Sequence, residues 1–174
     1  MAAADVGQGF EPMPGQGVSD SWVEQKRNVK RIFNLMMEAV NTDGHAFYGK
    51  YPNTLDALTA VDATSKELWG LFATWLSTGY VTNKNRAAGV EEKFLHPNTA
   101  VSYLRSALNL AKEKFLADNT THLFFTCVLQ NSQTEDGMWL KGLIKNMHRL
   151  MCRRVRLAAW KNRRLMHAWN AAHR

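Results

Sequence analysis

Apolar residues recur at intervals of three and four positions along most of this sequence, which is the spacing of one face of an α-helix. The clearest case lies between Asp20 and Asn41, where a single apolar stripe contains Val29, Ile32, Phe33, Met36, Met37 and Val40. The segments 65–78 and 99–117 have the same periodicity. Residues 122–130 also fit a strand by composition, but they are interpreted as helical because their neighbours are helical. The sequence therefore predicts an all-α protein, a small orthogonal bundle of five or six helices.

Composition separates the chain into three parts. Residues 1–19 are rich in Gly, Ala and Pro and have no apolar periodicity, so we expect a disordered, flexible N-terminal tail. Residues 20–158 are expected to form the helical domain, and residues 159–174 a basic extension of its last helix. The 174 residues are enough to bury a core, since chains of this size bury about 70 % of their unfolded surface.

Positive charge is concentrated at one end of the chain. The formal net charge is +7, yet residues 1–140 contain 12 basic and 15 acidic residues, whereas residues 141–174 contain ten basic residues and no acidic one. The last predicted helix, from about Met138 to Trp169, carries basic residues at intervals of three or four: Lys141, Lys145, Arg149, Arg153 and Arg156. Such a basic stripe predicts a polyanionic partner, nucleic acid first and an anionic membrane surface second.

Capping signals give the expected ends of the shorter helices. A short helix is predicted from Asn53 or Thr54 to Val61, and Glu67 is placed to close a capping box on Thr64 before the next helix. Asn98, which follows a proline, is the expected N-cap of the helix over 99–117, because its side chain can accept hydrogen bonds from the first free backbone N–H groups.

The sequence shows no arrangement typical of catalysis or of a metal site. It has no phosphate-binding glycine loop, dinucleotide fingerprint, nucleophile elbow or zinc-protease motif. His148 and Cys152 are four positions apart and could share a metal, but no other His or Cys pair has ligand spacing, so neither a metal nor a cofactor is predicted. Cys127 and Cys152 are too few for a disulfide scaffold, and we expect reduced, buried thiols of an intracellular protein. No apolar run is long enough to span a membrane, and no secretory signal is recognisable.

The tryptophans divide into two groups. Trp69, Trp75 and Trp139 lie on apolar helix faces and are predicted core residues. Trp160 and Trp169 instead alternate with basic residues. That mixture suits stacking on nucleic-acid bases, contact with a bilayer interface, or docking of the terminal helix on the rest of the chain, and all three interpretations stay open.

Three short motifs follow one another in the order found in a known family. An early helix contains Phe72-Ala73-Thr74-Trp75-Leu76, a later one begins with Pro97-Asn98-Thr99 and continues to Tyr103-Leu104, and a basic helix begins with Trp139-Leu140-Lys141. In these features the chain resembles the N-terminal core-binding (SAM-like) domain of tyrosine recombinases, the phage-integrase family. The resemblance implies a helical bundle that clamps one side of duplex DNA, with the catalytic residues in a separate domain that this sequence does not contain.

The resemblance and the basic stripe together define the candidate site. The candidate DNA-binding residues are Thr99, Tyr103, Arg105, Lys141, Lys145, Arg149, Arg153 and Arg156. We therefore expect a non-catalytic DNA-binding module of the nucleus or nucleoid, connected with DNA recombination and integration, that prefers duplex DNA. The alternatives are an RNA-associated helical protein and a protein-interaction scaffold whose basic helix docks an acidic partner or a membrane.

Overall fold

All the regular secondary structure in the described part of the chain is helical. The structure is a computed structural model that describes residues 20–80 and 95–172, and it contains no strand within these ranges. The α-helices found there are α1 (Asp20–Val40), α2 (Ala60–Ala63), α3 (Lys66–Thr78), α4 (Pro97–Lys114), α5 (Asn119–Gln130) and α6 (Glu135–Ala172). The predicted all-α fold is thereby confirmed, including the helical interpretation of residues 122–130. The predicted tail, residues 1–19, lies outside the described residues, as does the segment 81–94.

Helix α4 connects the other long helices, since it contacts α1, α3, α5 and α6. Leu104 and Leu108 on its inner side are fully buried. An aromatic cluster joins three of the surrounding helices. The ring centroid of Trp69 in α3 lies 5.8 Å from that of Phe33 in α1 and 6.1 Å from that of Phe125 in α5. Burial of each such side chain stabilises the fold by about 1.5–3 kcal/mol, so this cluster holds the helices in place.

The residues predicted to form the core are buried to different degrees. The apolar stripe of α1 is buried over its whole length, from Val29 to Val40. Trp69 is also fully buried, and its indole N–H donates a hydrogen bond to a backbone carbonyl at 2.7 Å. Trp75 and Trp139 are half-buried against the same core.

The prediction that both cysteines are buried is wrong for Cys152. Cys127 in α5 is half-buried, whereas Cys152 is exposed on α6. The reason is that α6 buries only one face, and Cys152 lies on the other. Cys152 therefore lies on the same side of the helix as several exposed basic residues.

The single helix predicted from Asn53 or Thr54 to Val61 is replaced by a 3-10 helix, Leu55–Ala57, followed by α2. Thr54 caps the first and Thr59 caps the second, so each helical turn has its own start. The ammonium group of Lys114 in α4 donates hydrogen bonds to two backbone carbonyls, that of Asp56 in the 3-10 helix and that of Leu58 just after it, at 2.6 Å each. The break therefore depends on a residue that is distant in sequence.

Two predicted caps are also wrong. Ser65, and not Thr64, caps α3 by accepting a hydrogen bond from a backbone N–H of the first turn. Glu67 closes no capping box, because its carboxylate instead binds two side chains from the loop that follows α1. His96 is the N-cap of α4 in place of Asn98, because the proline between them occupies the first helical position, where its missing N–H costs nothing.

Candidate nucleic-acid interface

Helix α6 carries all five residues of the predicted basic stripe, and its first turn is fixed against the end of α5. The hydroxyl of Thr134 accepts a hydrogen bond from the N–H of Gly137 at 3.1 Å and so caps the helix. Gly137 is buried, and a Cβ atom added to it would lie 1.9 Å from the carbonyl oxygen of Asn131. Only glycine therefore allows α6 to approach the end of α5 this closely.

The acidic first turn of α6 is paired with a lysine of α3. The ammonium nitrogen of Lys66 lies 2.7 Å from the carboxylate of Asp136 and 3.3 Å from that of Glu135. The hydrogen bond from Lys66 to Asp136 is the main reason that the pKa of this lysine is raised. These two carboxylates are the last acidic groups of the chain, so the negative charge of α6 is engaged at its first turn.

One face of α6 is held against the bundle. Leu140, Met147 and Met151 are buried on that face. Further along, the guanidinium group of Arg154 donates hydrogen bonds to two carbonyls at the end of α3, both at 2.9 Å. A cation at this point also complements the negative end of the α3 dipole. These contacts fix the rotation of α6 about its axis from Leu140 to Arg154.

The predicted basic residues lie on the opposite, exposed face of α6. We call this surface the basic ridge, and it consists of Lys141, Lys145, Arg149, Arg153 and Arg156. At 3.6 residues per turn the ridge covers an arc of about 120°, centred about 160° from the buried face. At 1.5 Å per residue it is about 22 Å long. The helix continues to Ala172, but the side chains of residues 161–174, and those of Val155, Ala158 and Ala159, lie outside the described part.

The ridge cations have no carboxylate partner within the described residues, unlike several cations of α1 and α3. In α1, Lys26 pairs with Glu113 at 2.7 Å and Lys30 pairs with Asp56 at 2.8 Å. On α6 no such pair can form within the helix, because no acidic residue follows Asp136. The ridge therefore keeps its full positive charge, and cations four positions apart repel one another.

The three candidate residues on α4 are not on one surface. Thr99 and Tyr103 are half-buried, and the hydroxyl of Tyr103 accepts a hydrogen bond from the amide of Asn28 in α1 at 3.3 Å. Arg105 is exposed, and its position two residues after Tyr103 turns it about 200° around the helix. The structure thus brings Arg105, but not Tyr103, towards α6.

A cleft of about 310 Å³ lies between α4, the end of α5 and the start of α6. We call it the Arg105–Lys141 cleft, and its lining includes Arg105, Val128, Gln130, Ser132, Leu140 and Lys141. Two predicted DNA-binding residues from different helices therefore meet here. Sequence reasoning missed Gln130 and Ser132, because neither belongs to a motif or to a periodic pattern that would have indicated a site.

Exposed apolar side chains accompany the ridge on α6. Leu150, Leu157 and Trp160 are 42, 56 and 55 % exposed. Leu150 and Leu157 are seven positions apart, so they lie on the same side of the helix, next to the ridge. The exposure of Trp160 sets it apart from the fully buried Trp69, while the side chain of Trp169 lies outside the described part.

Residues 20–80 and 95–172 contain neither a candidate membrane span nor a candidate metal centre. No helix in these ranges is both long enough and apolar enough to cross a membrane. No group of three or more His, Cys, Asp or Glu side chains in the same ranges is arranged to hold a metal ion. Comparison of the chain with known protein families, with curated proteins and with solved structures gave no match.

Proposed function

We propose that this protein is a non-catalytic DNA-binding module that docks the basic ridge on the phosphates of duplex DNA. The proposal rests on one observation: the five ridge residues are exposed, lie on one face of α6 and have no carboxylate partner within the described residues. The exposed face, about 22 Å long, corresponds to roughly two-thirds of a turn of duplex DNA. The nucleic acid supplies the negative charge that the chain itself lacks beyond Asp136.

The mechanism is electrostatic. Cations on one side of a helix neutralise several phosphates together and release the counterions condensed on them, so affinity falls steeply as salt is added. Contacts to phosphates fix the position of a protein on DNA but do not read the base sequence. We therefore propose binding with little sequence preference through the ridge itself.

The resemblance to the core-binding domain of tyrosine recombinases remains part of the proposal. An all-helical bundle with a basic helix agrees with it, and a role in DNA recombination or integration, in the nucleus or nucleoid, would follow from it. The electrostatic argument does not depend on this resemblance, because it uses only the charges and exposure of α6.

Fluorescence anisotropy with a labelled DNA duplex across a salt series tests the proposal. For five phosphate contacts we expect the logarithm of the association constant to fall with the logarithm of salt concentration with a slope of about −4.5. Arg149→Gln should make the slope less steep by about one. Arg27→Gln is the matched control, because Arg27 is an exposed arginine of α1 that is paired with Glu24, and this variant should keep the wild-type slope.

Three results would overturn the proposal: no binding at low salt, binding that is indifferent to salt, or equal effects of the two variants. Competition between duplex DNA and single-stranded RNA tests the alternative of an RNA-associated protein, since the same cations attract both polymers. Preferential displacement of the duplex by RNA would favour that alternative.

The exposed Leu150 and Leu157 favour a second candidate, a scaffold that binds an acidic amphipathic helix. Such a helix would cover the two leucines and pair its carboxylates with the neighbouring ridge. A synthetic peptide with leucines and glutamates at helical spacing is a suitable probe. If this candidate is right, Leu157→Ser weakens binding of the peptide and leaves DNA affinity unchanged.

A further inference from the structure

We propose that the Arg105–Lys141 cleft binds one unpaired nucleotide at the end of a duplex that lies along the basic ridge. This inference rests on the proposed function and adds a ligand preference to it. It begins from the chemistry of the cleft, which combines positive charge, apolar walls and polar groups in one concave space.

The charge of the cleft suits a phosphate. Arg105 and Lys141 are its charged lining residues, and no acidic side chain lines it. Neither cation has an ion pair among the described residues, so both can bind an anion without first losing a partner. The guanidinium group can also hold a phosphate through two parallel hydrogen bonds.

The walls and polar groups of the cleft suit a base. Val128, Leu129, Leu140 and Ile144 provide apolar surface on which a planar ring can pack. Gln130 and Ser132 line the same space, and neither side chain makes a hydrogen bond within the described part of the chain. An amide both donates and accepts hydrogen bonds, as the edge of a base requires.

The position of Lys141 connects the cleft to the ridge. Lys141 is the first residue of the ridge and also lines the cleft, so a strand that follows the ridge towards the start of α6 reaches the cleft next. A base must leave the stack to enter such a space, which is easiest for a nucleotide that is already unpaired. The cleft volume of about 310 Å³ is at the lower end of the range for ligand sites, so the cleft has room for no more than one nucleotide.

The test compares a blunt DNA duplex with the same duplex carrying a short single-stranded overhang, both measured by fluorescence anisotropy. We expect the wild-type protein to bind the overhang duplex about fivefold more tightly, as for one packed base. Ser132→Trp should fill the cleft and remove this preference while leaving the affinity for the blunt duplex unchanged. Gln133→Trp is the matched control, since Gln133 is exposed in the same turn but does not line the cleft.

Each outcome separates this inference from the proposed function. Loss of the preference in Ser132→Trp, with the preference kept in Gln133→Trp, supports the cleft as the nucleotide site. Equal wild-type affinity for the two duplexes, or equal effects of the two variants, overturns the inference. Salt-dependent binding of the blunt duplex would still support the ridge in that case. Failure of the blunt duplex to bind at low salt overturns the proposed function and the inference together.

Discussion

Gly137 is the residue on which the position of α6 depends most directly. Alanine at this position would bring a Cβ atom to 2.7 Å from the carbonyl carbon of Asn131 and 3.0 Å from the carbonyl oxygen of Cys127. Backbone atoms cannot move aside without shifting a helix. We therefore expect Gly137→Ala to lower the free energy of unfolding by about 2 kcal/mol, measured by urea denaturation and circular dichroism.

Gly142, in the same helix, provides the control for this prediction. A Cβ atom added there meets nothing within 4 Å, and the position is exposed. Gly142→Ala should raise the free energy of unfolding by up to about 1 kcal/mol, because alanine is the better helix former. Wild-type stability in Gly137→Ala would contradict the close approach of α6 to α5.

Glu67 links α3 to the loop that follows α1, and we expect this link to be sensitive to pH. Its carboxylate accepts hydrogen bonds from the ammonium group of Lys50 and from the hydroxyl of Tyr51. The bond from Lys50, followed by that from Tyr51, lowers the pKa of Glu67 from its ordinary value of 4.5. The folded state therefore prefers the ionised carboxylate, and the stabilisation is complete above the unfolded-state pKa and lost as the pH falls through the lowered one.

We expect the wild type to be more stable than Glu67→Gln at neutral pH, with the difference shrinking as the pH falls below about 4.5. Urea denaturation of both proteins at a series of pH values measures the difference. Glutamine keeps an acceptor oxygen, so the comparison isolates the charge. A difference that is constant, or that grows on acidification, would contradict the assigned direction of the pKa shift.

At the scale of one element, α6 carries two neighbouring arginines with different surroundings. Arg154 binds the last carbonyls of α3, whereas Arg153 is exposed on the ridge. We expect Arg154→Gln to lower the free energy of unfolding by about 2 kcal/mol with little change in the salt dependence of DNA binding. Arg153→Gln should keep stability within about 0.5 kcal/mol and make the salt slope less steep by about one.

The two variants remove the same charge from adjacent positions, so each is the control for the other. Urea denaturation and anisotropy are measured on both. If both weaken DNA binding equally, the face of α6 does not determine binding, and the ridge is not the interface.

The helices could be predicted from the sequence where their pattern is local. The stripe from Val29 to Val40 predicts both the existence of α1 and its buried face, because a period of 3.6 is a property of the segment alone. The break between the 3-10 helix and α2 could not be predicted in this way, since it involves Lys114 from another helix. The same holds for Glu67, whose partners are spatial neighbours and not the expected cap.

The candidate site likewise has one part that could be predicted from the sequence, the ridge, and one part that could not, the cleft. The five ridge residues lie on one helix, so their spacing was enough to predict a common exposed face. The cleft brings Arg105 of α4 beside Lys141 of α6, together with the turn at Ser132. No sequence pattern relates these positions, because their proximity depends on the packing of three elements.

Over the whole molecule, the charge is divided between a balanced body and an uncompensated ridge. Pairs such as Lys26 with Glu113 join helices of the body. On the ridge, neighbouring cations four positions apart each cost about 0.2–0.5 kcal/mol of helix stability. Salt screens this repulsion and also weakens the attraction to DNA. We therefore expect added salt to reduce the destabilising repulsion along the ridge and, through the same charges, to lower the affinity for DNA.

The double variant Lys145→Gln/Arg149→Gln tests this consequence, because it removes the central ridge charges and keeps the ion pairs of the body. We expect added salt to stabilise the wild-type protein by about 0.5 kcal/mol more than the variant. The same salt should weaken DNA binding more steeply in the wild type. Urea, an uncharged denaturant, measures stability at each salt concentration. An equal effect of salt on the stability of the two proteins would mean that the ridge cations do not interact. They would then not form the single continuous charged surface from which the DNA-binding proposal is argued.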